Sequence, residues 1–405
     1  MSDATTETAP VVYLDHAATT PVYPQVIAAV AEQLARPGNA SSLHGSGRAA
    51  RRVVEESRET IAAAVNARPS EVVFTSGGTE SDNLATKGLF WARHKADPRR
   101  VRVLSSSIEH HAVLDSLHWL ESEAGAEVEL LPVDRDGRLD VESLAASVRR
   151  DPESVALVTV MLANNEVGTL QPLESVVEIA AQHGIPVHTD AVQVMGQLSL
   201  DFAASGVDAM TITGHKIGGP LGVGALLLRR DVELVALLHG GGQERDVRSG
   251  TIDGPAIVGL AVAAELAVKG RCERGLFLSG LRDDLINRVL DAVPDAELNG
   301  PPGNGRLPGN AHLSFPGCEG DSLLMLLDAQ GIECSTGSAC SAGVPQASHV
   351  LLAMGRDQAT ARGSLRFSFG HTSSSRDVDR VVEAIVPAVE RARAAGVAGT
   401  AGGRQ

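Results

Sequence analysis

The sequence predicts an α/β protein with a mostly parallel sheet, followed by a smaller α+β unit. Two observations support this fold class. Between residues 71 and 229, short apolar runs rich in β-formers alternate with amphipathic helical stretches, and strands that alternate with helices form a mostly parallel sheet covered on both faces. After Pro255, long Ala-rich helical runs and a Gly/Pro-rich loop replace this alternation. We therefore expect a large domain at 16–261, a small domain made of 1–15 and 262–395, and a disordered tail at 396–405.

Apolar runs of strand length place seven strands in the first part of the chain. They are predicted at residues 71–75, 101–105, 127–132, 155–162, 185–189, 209–213 and 223–228. A helix is predicted at 173–181, because its apolar period ends at a His-Gly cap. In the second part we predict helices at 256–268, 274–293 and 321–329, strands at 311–315 and 365–369, and a final helix from Arg376 that Pro387 kinks.

The charge and cysteine content exclude several classes of protein. The chain has 35 Lys and Arg against 50 Asp and Glu, a formal charge of −15, with no basic cluster, which argues against direct nucleic-acid or anionic-membrane binding. It has no apolar run long enough to span a bilayer and no signal-peptide pattern at its start. Four cysteines without a C-x-x-C pair predict neither a disulfide scaffold nor a metal site. We expect a cytoplasmic protein with reduced thiols.

Two of the predicted strands end abruptly in polar residues. Asp190 follows the strand at 185–189, and Lys216 follows the strand at 209–213. In an open α/β sheet, groups at the carboxyl ends of strands meet in one crevice. Pyridoxal phosphate needs a lysine for its Schiff base and a carboxylate beside its pyridinium nitrogen, and these two residues suit both roles. The alternative is a buried Asp–Lys ion pair at the sheet edge.

A phosphate cradle is indicated where the strand at 71–75 turns into a helix. Gly77, Gly78 and Thr79 follow that strand, and free backbone N–H groups at a helix N-terminus bind phosphate. A tight turn without a ligand is the alternative. The run matches neither the dinucleotide fingerprint nor the P-loop, which disfavours both of those cofactor classes.

Further candidates follow the neighbouring strands. His110 lies just after the strand at 101–105, where an imidazole can stack on a pyridine ring and move protons, or simply cap a helix. The adjacent pair His110-His111 also suggests metal ligands, but no third ligand accompanies them. Asn165 follows the strand at 155–162, although asparagines there are often turn formers.

The second unit contains a cysteine in a small, polar, glycine-punctuated run. Cys340 lies in the segment 334–345, and an exposed thiol in a mobile loop is a candidate nucleophile. A disulfide with Cys334 is the alternative. Cys272 and Cys318 are interpreted as ordinary small apolar residues.

An arginine occupies an apolar strand of the same unit. Arg366 lies within the predicted strand at 365–369, so its guanidinium needs a partner. Bidentate binding of a substrate carboxylate would supply one. The alternative partner is an Asp or Glu of the protein.

Taken together, these motifs resemble the cysteine desulfurases, in order and over residues 13–391. The matching motifs are Tyr-Leu-Asp-His-Ala-Ala-Thr-Thr at 13–20, Thr-Ser-Gly-Gly-Thr-Glu-Ser at 75–81, Glu-His at 109–110, Asn-Asn-Glu-Val-Gly at 164–168, Asp-Ala-Val-Gln at 190–193, Gly-His-Lys at 214–216, His-Gly-Gly-Gly at 239–242, Arg-Ser-Gly-Thr at 248–251 and Gly-Ser-Ala-Cys at 337–340. The resemblance implies a fold-type I pyridoxal-phosphate enzyme of the class V aminotransferase group that acts as a homodimer.

The resemblance also implies a role for each matching residue. Lys216 would be the Schiff-base lysine, Asp190 the partner of the pyridinium nitrogen, Gln193 the partner of the ring phenolate, and His110 the stacking and proton-transfer residue. The phosphate would be held by Gly78, Thr79, Thr213 and His215, with Thr251 reaching it from the second subunit. Asn165 would contact cofactor and substrate, Arg366 would bind the substrate carboxylate, and Cys340 would accept the sulfur.

The implied reaction removes sulfur from L-cysteine, giving L-alanine and a persulfide on Cys340. That sulfur would pass to an acceptor protein, either an iron–sulfur scaffold or a sulfur carrier for thio-cofactor or tRNA synthesis. The alternatives are a selenocysteine lyase or another class V aminotransferase. A pseudoenzyme or sulfur-pathway binding subunit is disfavoured because the expected catalytic residues are present.

Overall fold

The computed structural model describes residues 11–337 and 347–401, which form three β-sheets and thirteen α-helices. The strands are β1 (Val12–Tyr13), β2 (Val72–Thr75), β3 (Arg102–Ser106), β4 (Glu127–Leu131), β5 (Val155–Thr159), β6 (Val187–Asp190), β7 (Ala209–Thr213), β8 (Gly224–Leu228), β9 (Glu297–Leu298), β10 (Asn310–Ser314), β11 (Ile332–Glu333) and β12 (Ser364–Ser368). The helices are α1 (Pro24–Leu34), α2 (Gly45–Ala64), α3 (Gly78–Ala96), α4 (His111–Ala124), α5 (Val141–Arg150), α6 (Leu173–Ala181), α7 (Phe202–Ser205), α8 (Gly254–Val268), α9 (Arg271–Ala292), α10 (Gly320–Asp328), α11 (His349–Ala353), α12 (Gln358–Arg362) and α13 (Ser375–Ala401).

The central sheet has seven strands in the order β2-β8-β7-β6-β5-β3-β4. From β7 through β4 the neighbours run parallel, whereas β8 is antiparallel to both β2 and β7. Strands β3 and β5 to β8 are buried along their whole length, as expected for a sheet covered on both faces. The predicted α/β class with a mostly parallel sheet is confirmed.

The seven strands predicted in the first part all exist, and β5 differs most in length. It was predicted to continue to residue 162 but ends at Thr159. Beyond that point the chain still donates hydrogen bonds to β6, from Val160 to the His188 carbonyl and from Leu162 to the Asp190 carbonyl. Contact with the other neighbour, β3, ends at Thr159. The backbone of residues 160–162 nevertheless runs beside β6 as far as Asp190, the last residue of that strand.

Helices α1 and α2 lie in a region, 21–64, where the sequence analysis predicts no element. Both pack against α8, which is predominantly apolar because it contributes buried residues from Ala256 to Ala267 to the main core. The predicted domain boundary at 261/262 therefore falls inside a helix that belongs to the large unit.

The second unit is built on the antiparallel sheet β12-β10-β9. Helices α9, α10 and α13 cover it, with Leu285, Phe315, Phe367 and Ile385 among the buried residues of its core. Strand β1 pairs in parallel with β11, so the N-terminal strand packs with this smaller α+β unit.

The last helix extends further than the sequence suggested. Helix α13 runs through Pro387 and continues to Ala401, past the start of the predicted tail at 396, since alanine, a strong helix former, is frequent there. The kink at Pro387 stays a prediction. In the part of the chain that the structure describes, none of the helices combines the length and the apolar character needed to cross a bilayer.

Candidate functional site

A cavity of about 410 Å³ lies at the carboxyl ends of the parallel strands, and we call it the strand-end cavity. Its lining consists of Ala17, Ala18, Gly78, Thr79, Asp82, His110, Ala112, Met161, Ala163, Asn165, Asp190, Val192, Gln193, Thr213, His215, Lys216, Ser335, Gly337 and Arg366. Ten of the twelve residues predicted for the site are among them. Thr251 and Cys340 are the two that are not.

Lys216 follows β7 and is held by two backbone carbonyls. Its Nζ donates hydrogen bonds to the oxygens of Ala17 and Ala18, at 2.6 and 2.7 Å. Burial, assisted by the positive charge of Arg366, lowers the pKa of Lys216 to about 8. The alternative of an ion pair with Asp190 is not supported, because no contact within 4.0 Å joins these two described side chains.

Asp190 is the last residue of β6, where it is buried. One carboxylate oxygen accepts a hydrogen bond of 2.8 Å from the backbone N–H of Val192. Burial raises the pKa of Asp190 to about 6, while the Val192 N–H and the charge of Lys216 act in the opposite direction. At neutral pH the residue therefore presents a carboxylate with room for a further hydrogen-bond donor.

Gln193 completes the polar cluster around Ala17. Its Nε2 donates a hydrogen bond of 2.9 Å to the Ala17 carbonyl, which also accepts from Lys216. The segment that follows β1 thus fixes both side chains from the opposite side of the cavity. Residues 13–20 were part of the matching motif, but this backbone role was not predicted.

The phosphate cradle has the predicted strand, turn and helix. Gly77 caps α3 with φ of 146°, a conformation that favours glycine. A Cβ at Gly78 would lie 3.2 Å from Val192, and one at Gly77 would lie 3.8 Å from the Thr213 hydroxyl. The N–H groups of Gly78 and Thr79 belong to the first turn of a helix, which has no intrahelical acceptors. Backbone donors and two hydroxyls therefore face one small space.

Two side chains that follow or end β7 complete this wall. The Thr213 hydroxyl donates to the Val223 carbonyl at 3.3 Å and keeps its lone pairs for other donors. Burial and the neighbouring Lys216 lower the pKa of His215 to about 4. His215 is therefore neutral at physiological pH and can offer one ring N–H.

His110 caps a helix, which was one of the two interpretations of the sequence; the stacking and proton-transfer role stays a prediction. Its Nδ1 accepts a hydrogen bond of 3.1 Å from the Ala112 N–H, which makes it the N-cap of α4. Burial and the charge of Lys216 lower the pKa of His110 to about 4. Because Nδ1 is an acceptor, the single proton of the neutral ring lies on Nε2. The residue lines the strand-end cavity.

Arg366 on β12 has protein partners and also one unused donor. Its Nη1 donates to the Asn165 carbonyl at 2.9 Å and its Nη2 to Asp15 Oδ1 at 2.8 Å. The alternative of a protein carboxylate as partner is thus realised in Asp15. Nε is buried and has no partner among the described residues, so the guanidinium retains hydrogen-bonding capacity beside the cavity.

The remaining predicted residues lie elsewhere. Thr251 is exposed and does not line the cavity of its own chain. Cys340 lies outside the described residues, and so does any disulfide with Cys334, but Ser335 and Gly337 line the cavity. The interpretation of Cys272 as an ordinary small apolar residue is not supported, since it is exposed on α9.

Asp82 is the functional candidate that the sequence analysis missed. It lies one turn after Gly78 on α3, is 1% exposed and lines the cavity. The only sequence signal was an acidic residue next to the apolar positions of a helix.

Groups of three or more metal-ligating side chains are absent from residues 11–337 and 347–401.

Comparison with known proteins defines the family. Residues 12–381 match the family model for aminotransferase class-V. An IscS-like cysteine desulfurase of Mycobacterium tuberculosis is 57% identical over 97% of this chain and 100% of its own. The structure of a NifS-like protein superposes with a TM-score of 0.86 at 35% identity, covering 94% of this chain and all of that one. The structure described as SspA in complex with cysteine has a TM-score of 0.76 at 34% identity, covering 88% of this chain and 98% of that one.

The chain therefore belongs to the class-V aminotransferase family. Within that family it is a cysteine desulfurase, and its cofactor is pyridoxal 5'-phosphate. The residues of the strand-end cavity fit this cofactor. A buried carboxylate, a lysine and a helix N-terminus with free donors surround one cavity, which is what a ring nitrogen, an aldehyde and a phosphate require.

Proposed function

We propose that this enzyme takes the sulfur of L-cysteine onto Cys340 and passes it to an acceptor protein. L-Alanine is the second product. One observation carries the assignment: a single cavity joins Lys216 and Asp190 to Gly337, three residues before Cys340. A neighbour of similar fold is described as a complex with cysteine, which supports the same substrate here.

The cofactor is held through its three polar ends. Asp190 would hold the ring nitrogen, Gln193 the phenolate oxygen, and the first turn of α3 with Thr79 and Thr213 the phosphate. When bound, pyridoxal phosphate supplies an electron sink for negative charge at the substrate α-carbon. A carboxylate with one N–H donor and low exposure suits the nitrogen, because a buried negative charge favours its protonated form.

Lys216 and His110 handle the protons. With its pKa lowered to about 8, the amine of Lys216 is partly unprotonated at physiological pH and can take the α-proton of the substrate. The carbonyls of Ala17 and Ala18 receive the amine when it is charged. His110 offers an Nε2–H on the cavity side, since its Nδ1 is occupied by the Ala112 N–H.

The substrate carboxylate binds at Arg366 and Asn165. Arg366 lines the strand-end cavity, where its guanidinium would donate charge-assisted hydrogen bonds to the substrate carboxylate. The contacts of Arg366 with Asp15 and the Asn165 backbone fix the guanidinium plane. Binding therefore orients the amino acid with its side chain free for attack.

Sulfur transfer is a displacement at the substrate sulfur. The thiolate of Cys340 forms an S–S bond as the Cβ–S bond of L-cysteine breaks, and the electron pair of the broken bond stays on Cβ, which takes a proton. That proton balances the one that the Cys340 thiol lost, and the substrate's own thiol proton leaves with the persulfide. A reducing thiol or an acceptor protein then removes the outer sulfur.

Two partners accompany this function. A second copy of the chain would supply Thr251 to the phosphate; the position of Thr251, exposed and outside the cavity of its own chain, supports this. A sulfur-acceptor protein, an iron–sulfur scaffold or a sulfur carrier, receives the persulfide. Ser335 and Gly337, which come shortly before Cys340 in the chain, line the cavity. Their position supports a role for Cys340 near the site.

The test compares Cys340→Ala with Cys272→Ala, the same change at an exposed thiol on α9. Both proteins are loaded with cofactor and given L-cysteine and a reducing thiol, and alanine and sulfide are quantified. We expect equimolar products from the wild type and Cys272→Ala, and a loss of at least about 100-fold in Cys340→Ala, because the covalent step is removed.

The persulfide is checked directly by mass spectrometry of the intact protein after L-cysteine without reductant. One additional sulfur on wild type and none on Cys340→Ala is the expected pattern. Continued sulfide release by Cys340→Ala would overturn the role of Cys340. Preference for selenocysteine with no alanine from cysteine would favour the lyase alternative.

A further inference from the structure

Two further carboxyl groups are buried beside Asp190 and have no part in the reaction described above. Asp82 on α3 and Glu109 before α4 are 1% and 0% exposed. Each has one carboxyl oxygen without a hydrogen-bond partner among the described residues, Oδ1 of Asp82 and Oε2 of Glu109. The three carboxyl groups interact electrostatically, since the charge of Asp190 raises the pKa of both neighbours.

These carboxyl groups differ in the donors that surround them. Asp190 accepts from the Val192 N–H and is near Lys216, and Glu109 accepts from the Met161 N–H at 2.8 Å. Asp82 has the hydroxyl of Thr211 as its hydrogen-bonding neighbour. No ammonium, guanidinium or backbone N–H contacts the Asp82 carboxyl among the described residues. An ionised carboxylate in that position is expensive.

His188 lies near Asp82, two residues before Asp190 on β6. Its Nδ1 contacts the Thr159 hydroxyl at 2.9 Å and its Nε2 contacts the Thr211 hydroxyl at 3.0 Å. The Nε2 is also 3.6 Å from Asp82 Oδ1, which is too long for a hydrogen bond. Burial lowers the pKa of His188 to about 3. A neutral imidazole shared by two hydroxyls does not compensate a carboxylate charge.

We propose that Asp82 is a positioning residue that carries a proton in the resting enzyme, so that Asp190 alone presents a negative charge to the cofactor nitrogen. Pairs of carboxyl groups whose surroundings separate their protonation states are a recurrent device at active sites. Asp82 lines the same cavity as Asp190, and its proton prevents two adjacent charges from sharing one buried space. The His188–Thr211 contact holds the neutral carboxyl in place.

This inference rests on the role of Asp190 proposed above. The titratable groups around Asp82 are Asp190 and Lys216 at the strand ends, Glu109 before α4 and the neutral His188 on β6. If Asp190 were instead neutral, its negative charge would not favour the protonated form of Asp82. The two claims therefore need separate readouts.

The first experiment is infrared spectroscopy of the holoenzyme at a pH near 8, where Asp190, with a pKa of about 6, is ionised. Wild-type protein is prepared with ¹³C-carboxyl aspartate in one sample and ¹³C-carboxyl glutamate in another. We expect a carbonyl stretch of a protonated carboxylic acid that shifts with the aspartate label. It should also be missing from Asp82→Asn. A band that responds only to the glutamate label, or no band at all, overturns the proposal, and this result needs no variant to fold.

The second experiment measures the affinity of the apo-protein for pyridoxal phosphate by quenching of intrinsic fluorescence. Asp82→Asn mimics the neutral acid, so we expect its Kd to stay within about threefold of wild type. Asp190→Asn should weaken binding at least about tenfold, because a hydrogen bond to a charged group is lost. If Asp82→Asn weakened the binding of pyridoxal phosphate as much as Asp190→Asn does, Asp82 would be charged and the inference would be overturned. Unchanged affinity in Asp190→Asn would overturn the role of Asp190. The infrared band that shifts with the aspartate label would then show whether Asp82 carries a proton.

Discussion

The backbone carbonyl of Ala17 accepts hydrogen bonds from Lys216, at 2.6 Å, and from Gln193, at 2.9 Å. Ala17 follows strand β1 of the smaller unit, whereas Lys216 and Gln193 follow strands of the central sheet. The amine of Lys216, which we propose as the Schiff-base group, is therefore oriented by a segment that lies 199 residues earlier in the chain.

The lowered pKa of Lys216 predicts how the stability of the apo-enzyme changes with pH. Burial lowers the pKa from its ordinary value of 10.5 to about 8, so between these values the unfolded chain binds more protons at this site. The free energy of unfolding should therefore rise with pH across this interval. Relative to Lys216→Met, apo wild type should gain on the order of 2 kcal/mol between about pH 7 and pH 10, measured by urea unfolding.

The comparison with Lys216→Met isolates this residue, because all other titrating groups are shared. The hydrogen bonds lost to Ala17 and Ala18 add a term that hardly depends on pH below the pKa. A stability difference that stays constant from neutral to alkaline pH would contradict the lowered pKa.

His110→Gln should slow the reaction by about 100-fold, the usual contribution of one acid–base group. The ring is neutral over the working range because its pKa is about 4. The variant should therefore keep the acid side of the pH–rate profile unchanged while the plateau falls. Steady-state alanine production between about pH 6 and pH 9 measures both. His111→Gln, on the exposed neighbour, is the matched control, and a shifted acid side in His110→Gln would contradict a neutral His110.

Thr251 predicts complementation between subunits. Chains carrying Thr251→Ala and chains carrying Lys216→Ala are co-expressed with different tags, and the mixed dimer is purified. If Thr251 serves the partner's site, one site of the mixed dimer is intact, and activity should recover to about half that of wild type. If it serves its own chain, both sites are defective and nothing recovers. Each single variant purified alone provides the baseline.

Glu244 and Arg58 form a buried ion pair that should be important for stability. Glu244 accepts from both terminal nitrogens of Arg58, at 2.8 and 2.7 Å, and from the Phe74 N–H at 2.8 Å. It also begins three successive residues with positive φ, a strained run that needs an anchor. Glu244→Ala leaves the Arg58 guanidinium with Glu55, whose side chain is half exposed, as its carboxylate partner, and should reduce the free energy of unfolding by about 3 kcal/mol.

The control for Glu244→Ala is Glu56→Ala. Glu56 pairs with Arg52 at 3.7 Å on the surface of α2, with both side chains exposed. Exposed pairs of this kind contribute less than about 1 kcal/mol. Equal effects of the two substitutions in urea unfolding would show that the buried pair does not hold the strained segment.

The sequence predicted the part of the site that depends on local pattern. Asp190 and Lys216 were identified because each follows a buried strand, and carboxyl ends of parallel strands share one edge. His110 and Thr79 followed from the same rule. The ends of strands are encoded within a few residues, so a single sequence is sufficient to locate them.

The parts that were not predicted depend on contacts between distant segments. Arg366 meets Asp15 across 351 residues, and no local period specifies that pairing. Asp82 looks like any acidic residue of a helix until β6 and β7 pack against it. Cys272 was misjudged because its exposure depends on which face of α9 packs against the sheet, and weak amphipathicity did not indicate that face.

The pairing of β1 with β11 has a consequence for biosynthesis. The carbonyls that hold Lys216 and the carboxylate that holds Arg366 are synthesised before the central sheet, but β11 and β12, which contact these segments, are synthesised after it. A nascent chain can therefore complete the central sheet before the strand-end cavity is complete. We expect the enzyme to bind its cofactor only after β12 has been synthesised.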